Sequence, residues 1–317
     1  MRENMENIRF ADFSDKDALI NIWTTSFYDD KAYVEFFLQK YLKKDMALCL
    51  CVDNTPVSVL YMLPAELVRD ESKKCITGNN RQKIRYIYAV ATLKEYRGYG
   101  YAKSLLKYAL EYLRKRGMEA AIVPADEGLS RFYKKYGFEN DIYIGCESFA
   151  ADEVKSENSA KSEDAEYIIT CKECNAERYF ELRQQYLKNM NLLYNNGYIE
   201  FAQEAVKYAV DETVFCGGFC KEFLTVNGVF AFLGYYIERE GITELSVKEF
   251  LTENIWSLDM VKKVISEYTH IDNTQRTKKC AEKINIRFPA VYGGAKRAFA
   301  LCSAKCSDGT YFNLVLD

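Results

Sequence analysis

Histidine is nearly absent from this 317-residue chain, which holds a single one, His270. A Ser-His-Asp or Cys-His triad needs an imidazole beside its nucleophile, and catalytic metal sites commonly draw on several. One histidine argues against both. An excess of either charge is also missing: 43 Lys+Arg against 46 Asp+Glu leave a net charge of −3. That balance implies no nucleic-acid-binding surface. Long apolar runs are lacking too. The longest stretch to consider, Val229 to Ile237, is too short to cross a bilayer and reads as a core strand. The opening residues MRENMENIRF are polar and carry no apolar signal core, so a cytoplasmic chain with no membrane partner is expected.

Cysteine, in contrast, is plentiful at 11 residues, an odd number, and no export signal accompanies it. That combination reads as a reducing compartment. Three close pairs stand out: Cys171 with Cys174, Cys216 with Cys220, and Cys302 with Cys306. Only the first is a Cys-x-x-Cys, the gaps between pairs are wide, and His270 stands alone. Buried small hydrophobes fit better than zinc ligands, and no metal is expected.

The stretch from Arg85 to Arg116 organises the chain. Its first part, Arg85 to Thr92, is β-rich, with Tyr86, Ile87, Tyr88, Val90 and Thr92. A short polar loop closes on Arg97-Gly98-Tyr99-Gly100. From Tyr101, apolar Leu105, Leu106, Ala109, Leu110 and Leu113 recur at helical spacing, and Gly117 stands where a helix would end. The first-turn N–H groups of such a helix have no intrahelical partners, and its dipole adds positive charge there. Phosphate is the natural guest, with Arg97 and Lys103 adding full charges. The Gly-Lys-Ser/Thr of a P-loop and a Gly-x-Gly-x-x-Gly are both missing.

What is there is Arg97-x-x-Gly100-x-Ala102, which resembles the Arg/Gln-x-x-Gly-x-Gly/Ala signature of the GNAT acetyltransferases. The run Val90 to Gly100 looks like that family's strand-to-loop segment, with Lys94 where the family usually has proline. Downstream, Phe132-Tyr133-Lys134-Lys135-Tyr136-Gly137-Phe138 resembles the family's late helix. Together these cover roughly the first half of the chain. The resemblance implies an α+β, GNAT-type mixed and mostly antiparallel sheet flanked by helices. It also implies acetyl-CoA as cosubstrate and an amine as acceptor.

Taken in order, residues 1–150 read as the acetyl-CoA-binding catalytic domain. Residues 151–166, charged and Ser-rich, read as a linker. Residues 167–317 restart with strand, helices, strands, helix and strands, but lack the Arg-x-x-Gly-x-Ala turn. They read as a second, degenerate GNAT-like domain. Within them, Tyr198 to Tyr208 reads as a helix, Phe219 to Phe250 as a three-stranded meander turning at Asn227-Gly228, and Arg297 to Ser303 as a late strand. An active and a degenerate copy in tandem resemble the Eis-type enzymes.

The resemblance assigns roles residue by residue. Backbone from Arg97, Gly98, Tyr99, Gly100, Tyr101 and Ala102 would cradle the pyrophosphate. Val90, Ala91 and Thr92 would pair with the pantetheine arm and polarise the thioester. Tyr133 would be the general acid that reprotonates the thiolate. The plain alternatives are turn glycines, a core strand and a core aromatic. No glutamate lies on Arg85 to Thr92 to act as base; Glu66, a water chain or the terminal Asp317 remain open. The expected activity is acetyl transfer to a primary amine of a small molecule or peptide. A non-catalytic acyl-CoA sensor and an aminoacyl transferase are the other readings, the last wanting a basic surface that net charge does not suggest. Oligomeric state is left undetermined.

Overall fold

A computed structural model describes residues 5–69, 80–152, 167–194, 197–275, 281–293, 296–306 and 310–313. The expected linker from residue 153 on, most of the loop 69–81, and Asp317 lie outside these. The chain forms two compact units. Unit 1 comprises Met1–Val68, Cys75–Ile142 and Phe299–Cys306; unit 2 comprises Arg69–Lys74, Tyr143–Ala298 and Ser307–Asp317.

Unit 1 begins with β1 (Glu6–Phe10), α1 (Lys16–Phe27) and α2 (Lys31–Tyr41). Asp30 caps α2, its carboxylate accepting from the Tyr33 N–H. Then come β2 (Ala47–Val52) and β3 (Thr55–Val68), joined by Asp53 and Asn54 with φ of 47° and 69°. Two successive left-handed residues of this type make the tight turn that suits an antiparallel hairpin. Next are β4 (Arg81–Thr92), α3 (Tyr101–Arg114), β5 (Glu119–Ile122) and α4 (Glu127–Lys134). The sheet order is β1-β2-β3-β4-β5, followed by β13 (Lys296–Cys302), which lies antiparallel to β5 through Leu301↔Ile122 and Cys302↔Ala121. Along this order, among the described residues, β4 and β5 run parallel and the other neighbours antiparallel.

Both faces of this sheet are covered, which explains why β2 is buried at every position. On one face Leu48, Leu50, Leu60 and Met62 meet Leu105, Leu106, Ala109 and Leu113 of α3. On the other, Trp23 of α1 packs on Phe37 of α2 and Tyr61 of β3, with ring centroids 4.7 and 5.4 Å away. Strand β1 is tied to the turn before α1 by Arg9, whose guanidinium donates to both oxygens of Asp15 at 2.6 and 2.8 Å.

Unit 2 takes the rest of β6 (Asn140–Ala150), then β7 (Ile168–Glu173), α5 (Ala176–Tyr194), β8 (Tyr198–Phe201) and α6 (Gln203–Phe215). The helix read over Tyr198 to Tyr208 is thus a short strand followed by the start of α6. Its first residues Tyr, Ile and Phe suit extended backbone, and Ala202 begins the helix as an extended N-cap residue. The meander comes next, as expected: β9 (Phe219–Thr225), β10 (Gly228–Arg239) and β11 (Ile242–Thr252). Its first turn falls on Val226 and Asn227, since Thr225 pairs with Gly228. Helix α7 (Leu258–Gln275) and β12 (Lys283–Pro289) complete the unit. Its sheet runs β7-β9-β10-β11-β12-β6, again with one parallel pair, β11 with β12. An aromatic core of Phe223, Phe230, Phe232, Phe250 and Tyr268 fills the α7 side.

The two units therefore repeat one topology. Each has a strand, two helices, three antiparallel strands, a helix and a parallel strand, with β8 added between the helices of unit 2 and α4 after β5 in unit 1; the sixth strand, antiparallel to the fifth, is β13 in unit 1 and β6, which precedes β7 in the chain, in unit 2. The architecture is α+β with a mostly antiparallel sheet flanked by helices, as the resemblance implied.

The Arg9–Asp15 pair gives a stability prediction. The hydrogen bonds from Arg9 hold the Asp15 carboxyl below its usual range against a smaller burial effect. A depressed carboxyl stabilises the fold above its unfolded pKa and loses that contribution as pH falls through the folded value. Asp15→Asn is expected to lower unfolding free energy by about 1.5–3 kcal/mol at pH 7, the range for charged hydrogen bonds. The deficit shrinks as pH drops below the ordinary aspartate range. Urea unfolding at pH 7 and pH 3 checks both points.

Candidate functional site

Pairing between β4 and β5 runs only from Ile84↔Glu119 to Ile87↔Ile122, while β4 continues to Thr92. Beyond Ile87 the sheet opens on that side. On its other side β4 stays paired with β3, but the register slips: Tyr61 faces Tyr88 and Val59 faces Ala91. One strand thus carries an extra residue, which is a β-bulge. Ala89 sits in it with φ of 47°, a left-handed conformation that costs an L-residue roughly 1–2 kcal/mol. Nothing in the sequence marks it, because such positions normally announce themselves as glycine. Ala89 is a site residue that sequence reasoning missed.

Past the bulge the strand end is fixed in detail. The Leu93 N–H donates to the Val57 carbonyl at 3.0 Å, towards β3. Buried Ser58 on β3 donates to the Ala91 carbonyl at 2.9 Å and lies 2.7 Å from the Thr92 hydroxyl. Alternation along the strand then turns the backbone of Thr92 and Val90 to the open side. Arg97 covers the first of these, its Nε donating to the Thr92 carbonyl at 2.9 Å. Val90 is left facing the opening.

The loop next forms a one-turn 3-10 segment, Lys94–Tyr96, and reaches Gly98 and Gly100, with φ of 88° and 83°. Both need glycine for their backbone shape, and the space beside each is open. The helix α3 begins without a side-chain cap. Its first N–H to reach a carbonyl is that of Ser104, which donates to Gly100 at 3.0 Å. Among the described residues, the N–H groups of Gly98, Tyr99, Gly100, Tyr101, Ala102 and Lys103 make no backbone hydrogen bond. That is a row of donors at the positive end of a 14-residue helix, with Arg97 and Lys103 exposed beside it.

The tyrosines of the loop hold it in place. Tyr101 is buried, and its hydroxyl donates to the Glu6 carboxylate of β1 at 2.5 Å. That hydrogen bond pushes the phenol up to about 12. Tyr96 and Tyr99 stack against the Tyr101 ring at 6.3 and 5.8 Å. Side chains of Tyr99 and Tyr101 thus serve packing, leaving their backbone to the open space.

Tyr133 lies on α4 in the same buried cluster as Tyr101 and Ile87, with Val90 at its edge. Asp126 caps α4 by accepting from the Leu129 N–H at 2.7 Å. Phe132 and Phe138 flank the Tyr133 ring edge-on at 5.3 and 6.1 Å. Burial, and to a smaller degree the Asp126 charge, push its phenol up to about 12. Tyr133 and Tyr101 thus belong to one buried cluster, with Val90 packed against it. Glu66 lies apart, on β3 opposite Lys83, seven positions from Val59, hence about 23 Å along the strand. There it is bound by Arg81 at 2.7 Å. The described residues hold no cluster of His, Cys, Asp or Glu suited to a metal ion. No helix among them is long and apolar enough to cross a membrane.

Left-handed backbone gives opposite predictions at three positions. Gly98→Ala and Gly100→Ala are each expected to lower stability by about 1–2 kcal/mol. Ala89→Gly relieves the same strain and is expected to leave stability unchanged or raise it by up to ~1 kcal/mol. Denaturant unfolding of the three variants measures the difference in sign.

Residues 7–140 match the family model of the acetyltransferase (GNAT) domain. No curated protein matches the chain in sequence. Among solved structures, a GCN5-related N-acetyltransferase from Anabaena variabilis superposes with a TM-score of 0.69 at 13% identity, covering 94% of this chain and 72% of that one. One from Kribbella flavida gives 0.64 at 14%, covering 94% and 71%. Eis1 from Mycobacterium abscessus gives 0.57 at 10%, covering 93% and 73%. At such identities these likenesses establish the fold. The opened β4, its bulge and the glycine turn thus lie within residues 7–140, the part of the chain that matches the acetyltransferase (GNAT) domain model, and the chain shares the fold of solved GNAT proteins over 94% of its length.

Proposed function

We propose that this protein transfers the acetyl group of acetyl-CoA to a primary amine of a small molecule or peptide. The observation that carries the proposal is the row of unpaired N–H groups from Gly98 to Lys103 beside the opened edge of β4. Oriented donors at a helix N-terminus bind phosphate without a side chain. Gly98 and Gly100 leave room for it, and Arg97 and Lys103 add charge.

Acetyl-CoA supplies the activated acyl carbon. The residues of the chain supply the rest. The Val90 N–H, turned to the opening, is the donor for the oxygen of the tetrahedral intermediate; Ala91 and Thr92 hold that strand end against Ser58. The pantetheine arm runs along the same edge as an added strand. Tyr133 stabilises and then protonates the departing sulfur. A phenol at about 12 keeps its proton at every working pH. An ordinary thiol titrates near 8.5, so full transfer is uphill by about 3.5 units, or about 5 kcal/mol, which a barrier for turnover on the order of 1 s⁻¹ accommodates. In this reading residues 1–150 carry the cofactor and the chemistry, 151–166 link, and 167–317 form a degenerate copy. The work is done in the cytoplasm, without metal, nucleic acid or membrane.

Calorimetry of acetyl-CoA with the wild type and Gly100→Trp tests the cradle. Micromolar binding is expected in the wild type and none in the variant, whose fold is checked by circular dichroism. No binding by the wild type would remove the proposal. Against a panel of amines, Tyr133→Phe is expected to cut turnover about 10²–10⁴-fold, the usual worth of general acid catalysis, with CoA affinity unchanged. A wild type that binds acetyl-CoA yet acetylates no amine would make the protein a sensor of acyl-CoA instead.

A further inference from the structure

Unit 2 repeats the topology of unit 1, and it repeats the bulge as well. Along β10 and β11, Leu233 faces Glu249 and Gly234 faces Val247, which leaves Lys248 as the extra residue. Strand β11 thus holds the place in unit 2 that β4 holds in unit 1, and its irregularity falls near the same point of the strand. The glycine turn is missing, because β11 and α7 are joined by Glu253 to Ser257, which includes no glycine. No phosphate cradle is built there. Beside the bulge lies something else.

Arg183, on α5, is wholly buried, and so is Glu249 on β11. The Arg183 Nε donates to Glu249 Oε2 at 3.0 Å. Tyr179 donates to the same oxygen at 3.1 Å and Tyr311 to Oε1 at 2.9 Å. Glu249 therefore has partners at both oxygens. Arg183 differs: both its terminal nitrogens, Nη1 and Nη2, are out of solvent and have no hydrogen-bond partner. The hydroxyls of Tyr186, Thr252 and Tyr292 are buried close to one another, and none of them makes a hydrogen bond of good geometry. Tyr186 follows Arg183 on α5 and meets Tyr311 edge-on at 6.5 Å. Burial pushes the phenols of Tyr179, Tyr186 and Tyr311 well above their usual range, so all three stay protonated donors.

A buried guanidinium with an empty fork is costly unless something occupies it. The Arg183 fork presents unpaired donors, whereas Asn313, whose Nδ2 donates to Tyr311, leaves its Oδ1 unpaired; the complement of the fork itself is an acceptor group. The two terminal nitrogens of arginine present a planar, bidentate edge that matches the two oxygens of a carboxylate. Tyr311 lines a shallow recess, open to solvent, together with Met190, Tyr194, Tyr198 and Val291, while its hydroxyl holds Glu249. One side chain separates the recess from the ion pair.

We propose that unit 2 contains a binding site for a small carboxylate, anchored on the terminal nitrogens of Arg183 and set where the bulge of β11 repeats that of β4. The site is separate from the turn of unit 1 and does not depend on the activity proposed for it. In this view unit 2 has exchanged a nucleotide cradle for a charged clamp, and it makes the chain responsive to a metabolite acid.

Equilibrium dialysis of the full chain against ¹⁴C-acetate and ¹⁴C-formate, at constant ionic strength and with saturating CoA present, tests the proposal. One saturable equivalent is expected, insensitive to CoA and weakened at least about tenfold by Arg183→Lys, which keeps the charge and loses the fork. No saturable binding, which is the outcome for a site filled by water alone, would overturn it. So would binding that CoA displaces, or binding undiminished in a folded Arg183→Lys. Should that variant fail to fold, the wild type still decides. Arg183 is the one wholly buried arginine among the described residues, and its slowly exchanging Nη–H resonances must shift on titration with acetate. Unmoved resonances would overturn the proposal.

Discussion

The pairing between β4 and β5 comprises four residue pairs and ends at Ile87↔Ile122, and the candidate site owes its existence to that stop. A backbone edge released from a parallel neighbour cannot stay buried without partners. Here it is managed in three ways. Ser58 holds the β3 side, Arg97 caps the Thr92 carbonyl, and Val90 is left turned to the opening. Had β5 continued, the edge would be an ordinary ladder and the helix end next to it an ordinary surface.

Rigidity around the opening comes from aromatic packing on both sides of β4. Behind it, Trp23 is fixed by Asp29, which accepts from its Nε1 at 2.7 Å, and by contact with Phe37 and Tyr61. In front, the tyrosines of the turn stack on Tyr101, which is tied to Glu6. Well-packed rings of this kind cost two torsions each and resist displacement. A strained residue such as Ala89 persists only where its surroundings over-determine it, and the bulge is held in this way from both faces.

The two units show how one topology carries different local structure at the same place. Each interrupts its central strand with a bulge, at Ala89 in one and at Lys248 in the other. The connection after that strand differs between them. In unit 1 two left-handed glycines expose the head of a helix. In unit 2 the connection has no glycine, and the charged groups lie in the interior as Arg183 and Glu249. Fold and site are separable, since the sheet sets positions and the loops and helices facing it decide what is bound.

Periodic features were legible from the order of residues alone. Period-two and period-3.6 patterns placed most strands and helices, because a half-buried element must repeat its apolar face. Gly98 and Gly100 were legible because left-handed backbone selects glycine, and α3 was legible from its leucines. The repeat of one element order in the second half could also be read. Long-range packing settled what local pattern cannot encode. Tyr198–Phe201 is extended rather than helical, although its apolar residues fit either period. Ala89 takes a glycine's conformation because the register of β3 requires it, and nothing in an alanine announces that. Glu66 was a candidate by strand and proved to sit at the wrong end of it. Strand β13, some 170 residues after β5 in the chain, completes the sheet of unit 1 because a strand edge accepts any extended partner of the right twist, and backbone pairing leaves no mark on the residues that make it.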